Sequence, residues 1–288
     1  MRLLFCLMMG FGAVAVATPA DAQPAKPGLL IDQAGLFTLW SDSKPVVVLD
    51  VRPRQQFDAG RVPSAQHIDI GAWKAAFGAG ADAAGWGKRL GALGIDAETT
   101  VVVYDRFTSP SACRAWWLLK YWGVADARVL DGGTVAWKAA KAPPAADRPP
   151  TTFRATPQPD RLATRDEVLQ AIAADSAGSA CLIDTRTDAE WAAGVIPTAK
   201  HSDWLNYVDQ RTGKLRPAAE LERLLASAGY RAGVELDAIT YCRSGGRAAV
   251  VAFVAELITG RPAANYWGSW NEWSQTPAGP SVQPVAAP

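Results

Sequence analysis

Residues 238–257 read Ala238-Ile-Thr-Tyr-Cys242-Arg-Ser-Gly-Gly-Arg247-Ala-Ala-Val-Val-Ala-Phe-Val-Ala-Glu-Leu257. Four residues typical of a strand lead into a short polar loop with two glycines, and an apolar helical stretch follows at once. A helix that is apolar on almost every face is buried. The stretch therefore predicts a strand, a loop and a buried helix in succession, which is the unit from which parallel α/β sheets are built.

The loop at residues 242–247 is suited to holding a negatively charged group. Backbone N–H groups at the start of a helix lie at the positive end of its dipole. Gly245 and Gly246 let the loop curl so that several amides converge on one point. A Cys242 sulfur there, with Arg243 and Arg247 in the same loop, is expected to be a nucleophilic thiolate. The alternative is that Cys242 is a buried packing residue, as most free cysteines are.

Short β-branched runs alternate with amphipathic stretches along the rest of the chain. The predicted strands are Val46–Leu49, Thr100–Tyr104, Arg128–Leu130, Cys181–Ile183, Ala238–Tyr241 and Ala264–Tyr266, and Ala248–Leu257 is a predicted helix. Thr164, three residues before Glu167, is a capping box that predicts the start of another helix. This alternation predicts an α/β fold with parallel strands joined by crossover helices.

The two halves of the chain repeat one another. Three pairs of anchors carry the repeat: Asp50-Val-Arg52 with Asp184-Thr-Arg186, Gly60–Ala65 with Gly194–Ala199, and Gly132 and Trp137 with Gly268 and Trp273. The first two pairs are 134 positions apart and the third 136, which indicates a tandem duplication. A proline-rich stretch at 148–160 predicts a linker between domains at 28–147 and 161–276, and residues 277–288 are a predicted loose tail.

The first 22 residues have the character of a secretory signal peptide. Arg2 precedes an apolar run from Leu3 to Ala17, and Ala20-Asp-Ala22 matches the small-residue pattern of a cleavage site. The run is shorter than the roughly 20 residues that cross a bilayer, so cleavage is preferred to an uncleaved anchor. The sequence thus predicts a secreted protein, in a bacterium a periplasmic one, that is not held in a membrane after cleavage.

Composition narrows the classes of ligand. With 29 basic and 28 acidic residues and a net charge of +1, the chain gives no electrostatic reason to expect nucleic acid. Cys113, Cys181 and Cys242 remain after signal cleavage, and an odd number is no disulfide framework. The two histidines, His67 and His201, fall at similar places in the two halves, which favours a scaffold role. Because no histidine or cysteine cluster has ligand spacing, we expect neither a metal nor a cofactor.

The order of motifs resembles the rhodanese sulfurtransferases. Asp-x-Arg is followed by Gly-x-Ile-Pro-x-Ala, then by Cys-Arg-x-Gly-x-Arg ahead of a helix, then by Gly-Ser-Trp-x-Glu-Trp, and the likeness runs from about residue 28 to about 276. It implies two tandem rhodanese-like domains, each a central parallel β-sheet flanked by helices, of which the C-terminal one is catalytic. It also implies that a small donor, thiosulfate or 3-mercaptopyruvate, gives its sulfur to the enzyme and that a thiol or cyanide accepts it.

The resemblance assigns roles to particular residues. Cys242 is the nucleophile that carries the sulfur as a persulfide, and the substrate-binding cradle is formed by Arg243, Ser244, Gly245, Gly246 and Arg247. Asp184 and Arg186 match the family's Asp-x-Arg and are read as structural support. In the N-terminal half the position of Cys242 is taken by Asp105, which cannot accept sulfur and marks a degenerate, non-catalytic site. Cys113 and Cys181 are read as packing residues.

One departure from the two-domain pattern bears on the donor. Those enzymes place a second, substrate-facing arginine shortly after Asp-x-Arg, whereas this chain has Asp188 and Glu190 there. A carboxylate should repel the carboxylate of mercaptopyruvate, so thiosulfate is the expected donor. An arginine of the other domain, such as Arg54, Arg61 or Arg106, could supply the missing contact.

Two other functions fit parts of the pattern. A cysteine-based phosphatase or arsenate reductase needs Cys-x5-Arg to encircle a tetrahedral oxyanion, whereas residues 242–247 form the shorter Cys-x4-Arg. A sulfur carrier that accepts persulfide sulfur without efficient turnover of a small donor would need the same cysteine. Steady-state turnover separates the carrier from the enzyme.

Overall fold

The computed structural model describes residues 28–42, 44–78, 80, 82–138, 148–174, 180–230 and 237–275. The predicted signal peptide and tail lie outside them. Within these residues one sheet contains β1 (Leu30–Ile31), β2 (Val46–Asp50), β3 (Gln66–His67), β4 (Thr100–Tyr104) and β5 (Ala127–Leu130). The other contains β6 (Leu162–Ala163), β7 (Ala180–Asp184), β8 (Lys200–His201), β9 (Asp237–Tyr241) and β10 (Ala264–Tyr266).

Helices cover both sheets. The N-terminal half has α1 (Gln33–Ser41), α2 (Arg54–Ala59), α3 (Ile70–Gly78), α4 (Ala83–Ala92), α5 (Pro110–Tyr121) and α6 (Gly133–Ala136). The C-terminal half has α7 (Arg165–Ala174), α8 (Asp188–Ala192), α9 (Ala218–Ser227), α10 (Gly246–Thr259) and α11 (Ser269–Trp273), with short 3-10 turns at Pro159–Arg161 and Trp204–Tyr207. No helix in the described ranges is long and apolar enough to span a membrane.

The two sheets have the same topology. Their strand orders are β1-β5-β4-β2-β3 and β6-β10-β9-β7-β8, and every pairing is parallel. The duplication extends to unusual backbone: Ser64 has a φ of 57° and Thr198, which answers it 134 residues later, a φ of 66°. Two parallel sheets flanked by helices confirm the predicted fold class, and all six predicted strands are present.

The central strands are buried because helices lie on both faces, as is usual for parallel sheets. All five residues of β2 and of β4 are buried. The predicted helix at 248–257 is confirmed as the middle of α10, in which every residue from Ala248 to Leu257 is buried. The predicted capping box is also present, since the Thr164 amide donates to Glu167 Oε2 at 2.6 Å and the Glu167 amide donates to Thr164 Oγ at 3.3 Å.

The helices α5 and α10 join the two halves. They pack directly on each other, and one apolar cluster contains residues of both helices and of both sheets. Trp116 of α5 meets Phe253 of α10 edge to face, with ring centroids 4.8 Å apart. An α10 that touched only its own sheet would expose its other face, so its all-round apolar character follows from this second contact.

The proline-rich stretch predicted as a linker follows the N-terminal half closely. The amides of Thr151 and Thr156 donate to the carbonyls of Gly91 and Trp122 at 2.8 and 3.0 Å. At its end Arg161 forms two hydrogen bonds to Glu256 of α10, at 2.5 and 3.0 Å. The Arg161 carbonyl accepts a bond from the Trp117 indole of α5 at 3.1 Å. Arg161, directly after this segment, thus forms hydrogen bonds to both central helices, α5 and α10.

We predict that Arg161→Leu lowers the free energy of unfolding by about 3–5 kcal/mol, because it leaves the largely buried Glu256 carboxylate without its partner. The double variant Arg161→Leu, Glu256→Leu should recover most of that loss, since no charge is then left buried. Urea unfolding of the two variants and the wild type measures both effects. A double variant as unstable as the single one would contradict this view of the pair.

Candidate active site

Cys242 lies where β9 ends and α10 is about to begin. β9 is the central strand of the C-terminal sheet, and ligands of open α/β sheets bind at the carboxyl ends of such strands. Gly245 caps α10 with a φ of 81°, a left-handed conformation that glycine adopts without strain. Cys242 is only 1% exposed, so only a small group reaches its sulfur without movement of the loop.

The loop is held in shape by Ser269, which sequence reasoning had given no role. The Ser269 hydroxyl accepts hydrogen bonds from the amides of Cys242 and Gly245, at 3.3 and 3.0 Å, and donates to the Tyr266 carbonyl at 2.7 Å. Ser269 has a φ of 52°, and its counterpart in the N-terminal half is Gly133, with a φ of 50°. The sequence does contain a signal for this role, because Ser269 occupies the position that is Gly133 in the N-terminal half.

Fewer loop amides face the sulfur than the sequence suggested. The Ser244 amide donates to Cys242 Sγ at 3.4 Å, whereas the amides of Cys242 and Gly245 are taken by Ser269. The first amides of α10 have no carbonyl one turn earlier in the helix to bond. The anion-holding capacity therefore comes from one amide, the start of the helix and the surrounding cations.

Arg247 is not the free guanidinium that its place in the loop suggested. It donates two hydrogen bonds to Glu190, at 2.5 and 2.8 Å. That bond is the main cause that raises the pKa of Arg247, and the nearby Cys242 sulfur adds to it. In turn Arg247 lowers the pKa of Glu190 to about 2. Glu190 thus neutralises Arg247 rather than facing a donor directly, which corrects the simple repulsion expected from its sequence position.

The N-terminal half supplies an arginine, but none of the three that the sequence named. Arg54 and Arg61 lie over Phe57 of their own domain, and Arg106 is exposed on the loop after Asp105. Instead Arg114 of α5 donates to the Ser244 carbonyl at 2.8 Å. The sequence signal for this contact is an arginine within the largely apolar helix α5.

Asp184 and Arg186 lie behind the loop. Arg186 donates to both oxygens of Asp184 and, at 2.7 Å, to the carbonyl of Gly194. Asp50 and Arg52 make the same contacts in the N-terminal half, where Arg52 donates to the Gly60 carbonyl at 2.7 Å. Among the described residues, neither pair forms a hydrogen bond to the cysteine loop. Both pairs instead join a strand end to the loop that follows it.

The N-terminal site around Asp105 is closed. The Asp105 carboxylate accepts bonds from its own loop, from the Arg106 amide at 2.6 Å and the Ser109 hydroxyl at 2.5 Å. The C-terminal domain covers this loop, since the Thr108 amide donates to the Gly213 carbonyl at 2.9 Å and the ring of Phe107 stacks on Trp204. A carboxylate therefore occupies the anion position, and the other domain blocks access to it.

Comparison with known families agrees with this geometry. The model of the Rhodanese-like domain matches residues 35–140 and again 164–276. The chain belongs to the rhodanese-like family. The match to both halves also accounts for the repeated sheets.

Two curated proteins illustrate the relationship within the rhodanese-like family. The sulfur carrier protein TtuD of Thermus thermophilus is 30% identical over 240 residues, which are 75% of this chain and 83% of that protein. A protein of Mycolicibacterium smegmatis named "Putative thiosulfate sulfurtransferase" is 32% identical over 221 residues, 69% of this chain and 76% of its own length.

Solved structures share the fold of this rhodanese-like chain. The anaerobic ergothioneine biosynthesis enzyme of Chlorobium limicola, in complex with its natural substrate trimethyl histidine, superposes with a TM-score of 0.75 at 24% identity, over 89% of this chain and 70% of that one. An EanB variant described as a cysteine persulfide in a tetrahedral intermediate state with ergothioneine superposes with a TM-score of 0.71 at 25% identity, over 84% of this chain and 65% of that one.

We predict that Ser269→Ala lowers sulfur-transfer activity at least about tenfold, because two loop amides lose their acceptor. A buried hydrogen-bonding group that is left without a partner costs about 1–3 kcal/mol of free energy. Ser269→Thr, which keeps the hydroxyl, should retain more activity than Ser269→Ala. Initial rates with thiosulfate measure the effect. Full activity in Ser269→Ala would show that the loop does not depend on this hydroxyl.

We also predict that Asp105→Cys creates no second sulfur site in a Cys242→Ser background. The thiol would be covered by the segment around Gly213, and Pro110 at the start of α5 supplies no N–H. Mass analysis of the peptide that contains residue 105, after treatment with thiosulfate, measures this. Persulfide on that peptide would show that the N-terminal site is open.

Proposed function

We propose that this protein is a rhodanese-type sulfurtransferase that carries sulfur as a persulfide on Cys242 and takes it by preference from thiosulfate. The family supports the reaction class, and the relative named as a "Putative thiosulfate sulfurtransferase" supports the donor. The predicted signal peptide supports a site of action in the periplasm.

One observation carries the proposal: a single buried thiol lies at the start of a buried helix with cations around it. The Ser244 amide bonds the sulfur, Arg247 lies beside it, and Arg114 reaches the same loop from the other domain. A helix start and neighbouring guanidiniums favour the thiolate, the nucleophilic form of cysteine.

The other two thiols lack such surroundings. Burial raises the pKa of Cys113, and the Asp105 charge adds to the effect. The Cys181 thiol donates to the Ala228 carbonyl at 3.0 Å. Cys113 therefore stays protonated at neutral pH, and the Cys181 thiol is bonded away from the loop, so we propose Cys242 as the nucleophile among the described cysteines.

The reaction proceeds in two steps. The Cys242 thiolate attacks the outer sulfur of thiosulfate, the S–S bond of thiosulfate breaks, and sulfite leaves with the electron pair. The outer sulfur is then the terminal atom of the Cys242 persulfide. An acceptor thiolate or cyanide attacks that atom, the S–S bond of the persulfide breaks, and the Cys242 thiolate is restored. No redox cofactor is required, because each step exchanges one nucleophile for another.

The carboxylates of α8 disfavour a donor with a distant carboxylate. Asp188 lies exposed at the start of α8, and its charge interacts with that of Asp203. Arg247 is already paired with Glu190 of the same helix. Thiosulfate is compact and keeps its charge beside the sulfur that it donates, whereas mercaptopyruvate would extend a carboxylate toward this acidic side.

We predict that kcat/KM with thiosulfate exceeds kcat/KM with 3-mercaptopyruvate by at least about tenfold, roughly 1.4 kcal/mol in transition-state stabilisation. Steady-state assays with cyanide as acceptor measure both values. Cys242→Ser should lose both activities, while Cys113→Ser and Cys181→Ser, matched controls for loss of a thiol, should keep most of them.

Three results would count against the proposal. Faster turnover with mercaptopyruvate would overturn the donor preference. Activity that survives in Cys242→Ser would overturn the mechanism. Loading of Cys242 without turnover of any small donor would favour a sulfur carrier.

A further inference from the structure

Arg114 packs against the active loop more closely than a side chain at residue 246 would allow. Its guanidinium carbon lies 5.6 Å from the centroid of the Trp267 ring, and Trp267 directly precedes Gly268 and Ser269. A Cβ at Gly246 would clash with the Arg114 guanidinium, so a residue with a side chain there would force Arg114 to move. Arg114 Nε is buried and has no hydrogen-bond partner within the described part of the chain. One guanidinium donor thus remains unpaired beside the loop.

Lys74 brings a second cation of the N-terminal domain to the same place. It lies on α3, one turn before Phe77, and residues three apart share a helix face. The Phe77 ring contacts the Trp267 ring, with centroids 4.6 Å apart, so this face of α3 lies against the segment that holds the loop. Lys74 is within electrostatic reach of both Arg114 and Cys242. Among the described residues no salt bridge or hydrogen bond of its ammonium group is found.

Two partly buried cations whose charges repel one another are stabilised by a negative charge nearby. Burial lowers the pKa of Lys74 and that of Arg114, and in both the charge of Cys242 opposes the effect. Arg247, whose charge also interacts with Cys242, has Glu190 as its counter-ion, and Arg243 is exposed to solvent. Among the described cations near Cys242, the partly buried ones without a carboxylate partner are therefore Lys74 and Arg114 of the N-terminal domain.

We propose that Lys74 and Arg114 form an anion subsite that holds the oxyanion of a sulfur donor next to Cys242. The inference builds on the proposed function and adds that the non-catalytic domain supplies the binding half of the site. The ligand class is a small anion whose charge adjoins the reacting atom, as in thiosulfate or an organic thiosulfonate.

Alkylation of Cys242 by iodoacetate and by iodoacetamide tests the subsite without sulfur transfer. The two reagents react at the same carbon, but only iodoacetate carries an anion beside it, so the ratio of their rates reports anion binding. A general change in thiolate reactivity alters both rates equally and leaves the ratio unchanged. Peptide mass analysis restricts the measurement to Cys242.

We expect Lys74→Gln to lower the iodoacetate to iodoacetamide ratio about tenfold, and the KM for thiosulfate to rise by a similar factor. Lys74→Arg should restore the ratio. Arg114→Gln should lower it too, although this variant also loses the bond to Ser244. The matched control is Lys88→Gln, which removes the same charge from an exposed position on α4 and should behave as the wild type.

An unchanged ratio in both Lys74→Gln and Arg114→Gln would overturn the subsite. A ratio as low in Lys88→Gln as in Lys74→Gln would also overturn it, since the effect would then be one of net charge. If the ratio falls as expected but the wild type takes no sulfur from thiosulfate, the subsite stands and the proposed donor is wrong.

Discussion

The proposed chemistry requires a thiolate at Cys242, which is a negative charge at a position only 1% exposed to solvent. A charge taken out of water requires hydrogen bonds and opposite charges in place of its hydration. The start of α10, the Ser244 amide, Arg247 and the N-terminal cations provide them. That requirement explains why α10 is buried on every face and why both domains meet at this helix. A loop on a single isolated domain would lack half of its cationic surroundings.

The duplication shows that two copies of one fold have different roles in this chain. Both halves have the same sheet order, the same Asp-x-Arg support and the same positive-φ turn. Two of the positions at which they differ lie in the site, where Cys242 and Ser269 are equivalent to Asp105 and Gly133. The N-terminal half has its own carboxylate, Asp105, at the position of the cysteine, and the other domain covers it, while Arg114 of α5 bonds to the cysteine loop. The half without the cysteine thus helps to shape the loop of the other half.

Much of this could be predicted from the sequence because the signals are local. The strands, the buried helix, the repeat and the cysteine loop each depend on residues close together in the chain. The Glu190–Arg247 pair, the role of Ser269 and the approach of Arg114 could not, since they join segments 24 to 130 positions apart. Local spacing put Glu190 and Arg247 in the site but did not show that they neutralise each other. Only tertiary packing decides which charge remains unpaired.

The central claim is that sulfur is carried on Cys242. Its most direct test is intact mass measurement of the protein after treatment with thiosulfate that is isotopically labelled in the outer sulfur, followed by peptide mapping. The account predicts a gain of one labelled sulfur atom, on the peptide that contains Cys242, which is lost on addition of cyanide. Label on the peptide of Cys113 or Cys181, or no label at all under conditions of turnover, would contradict it.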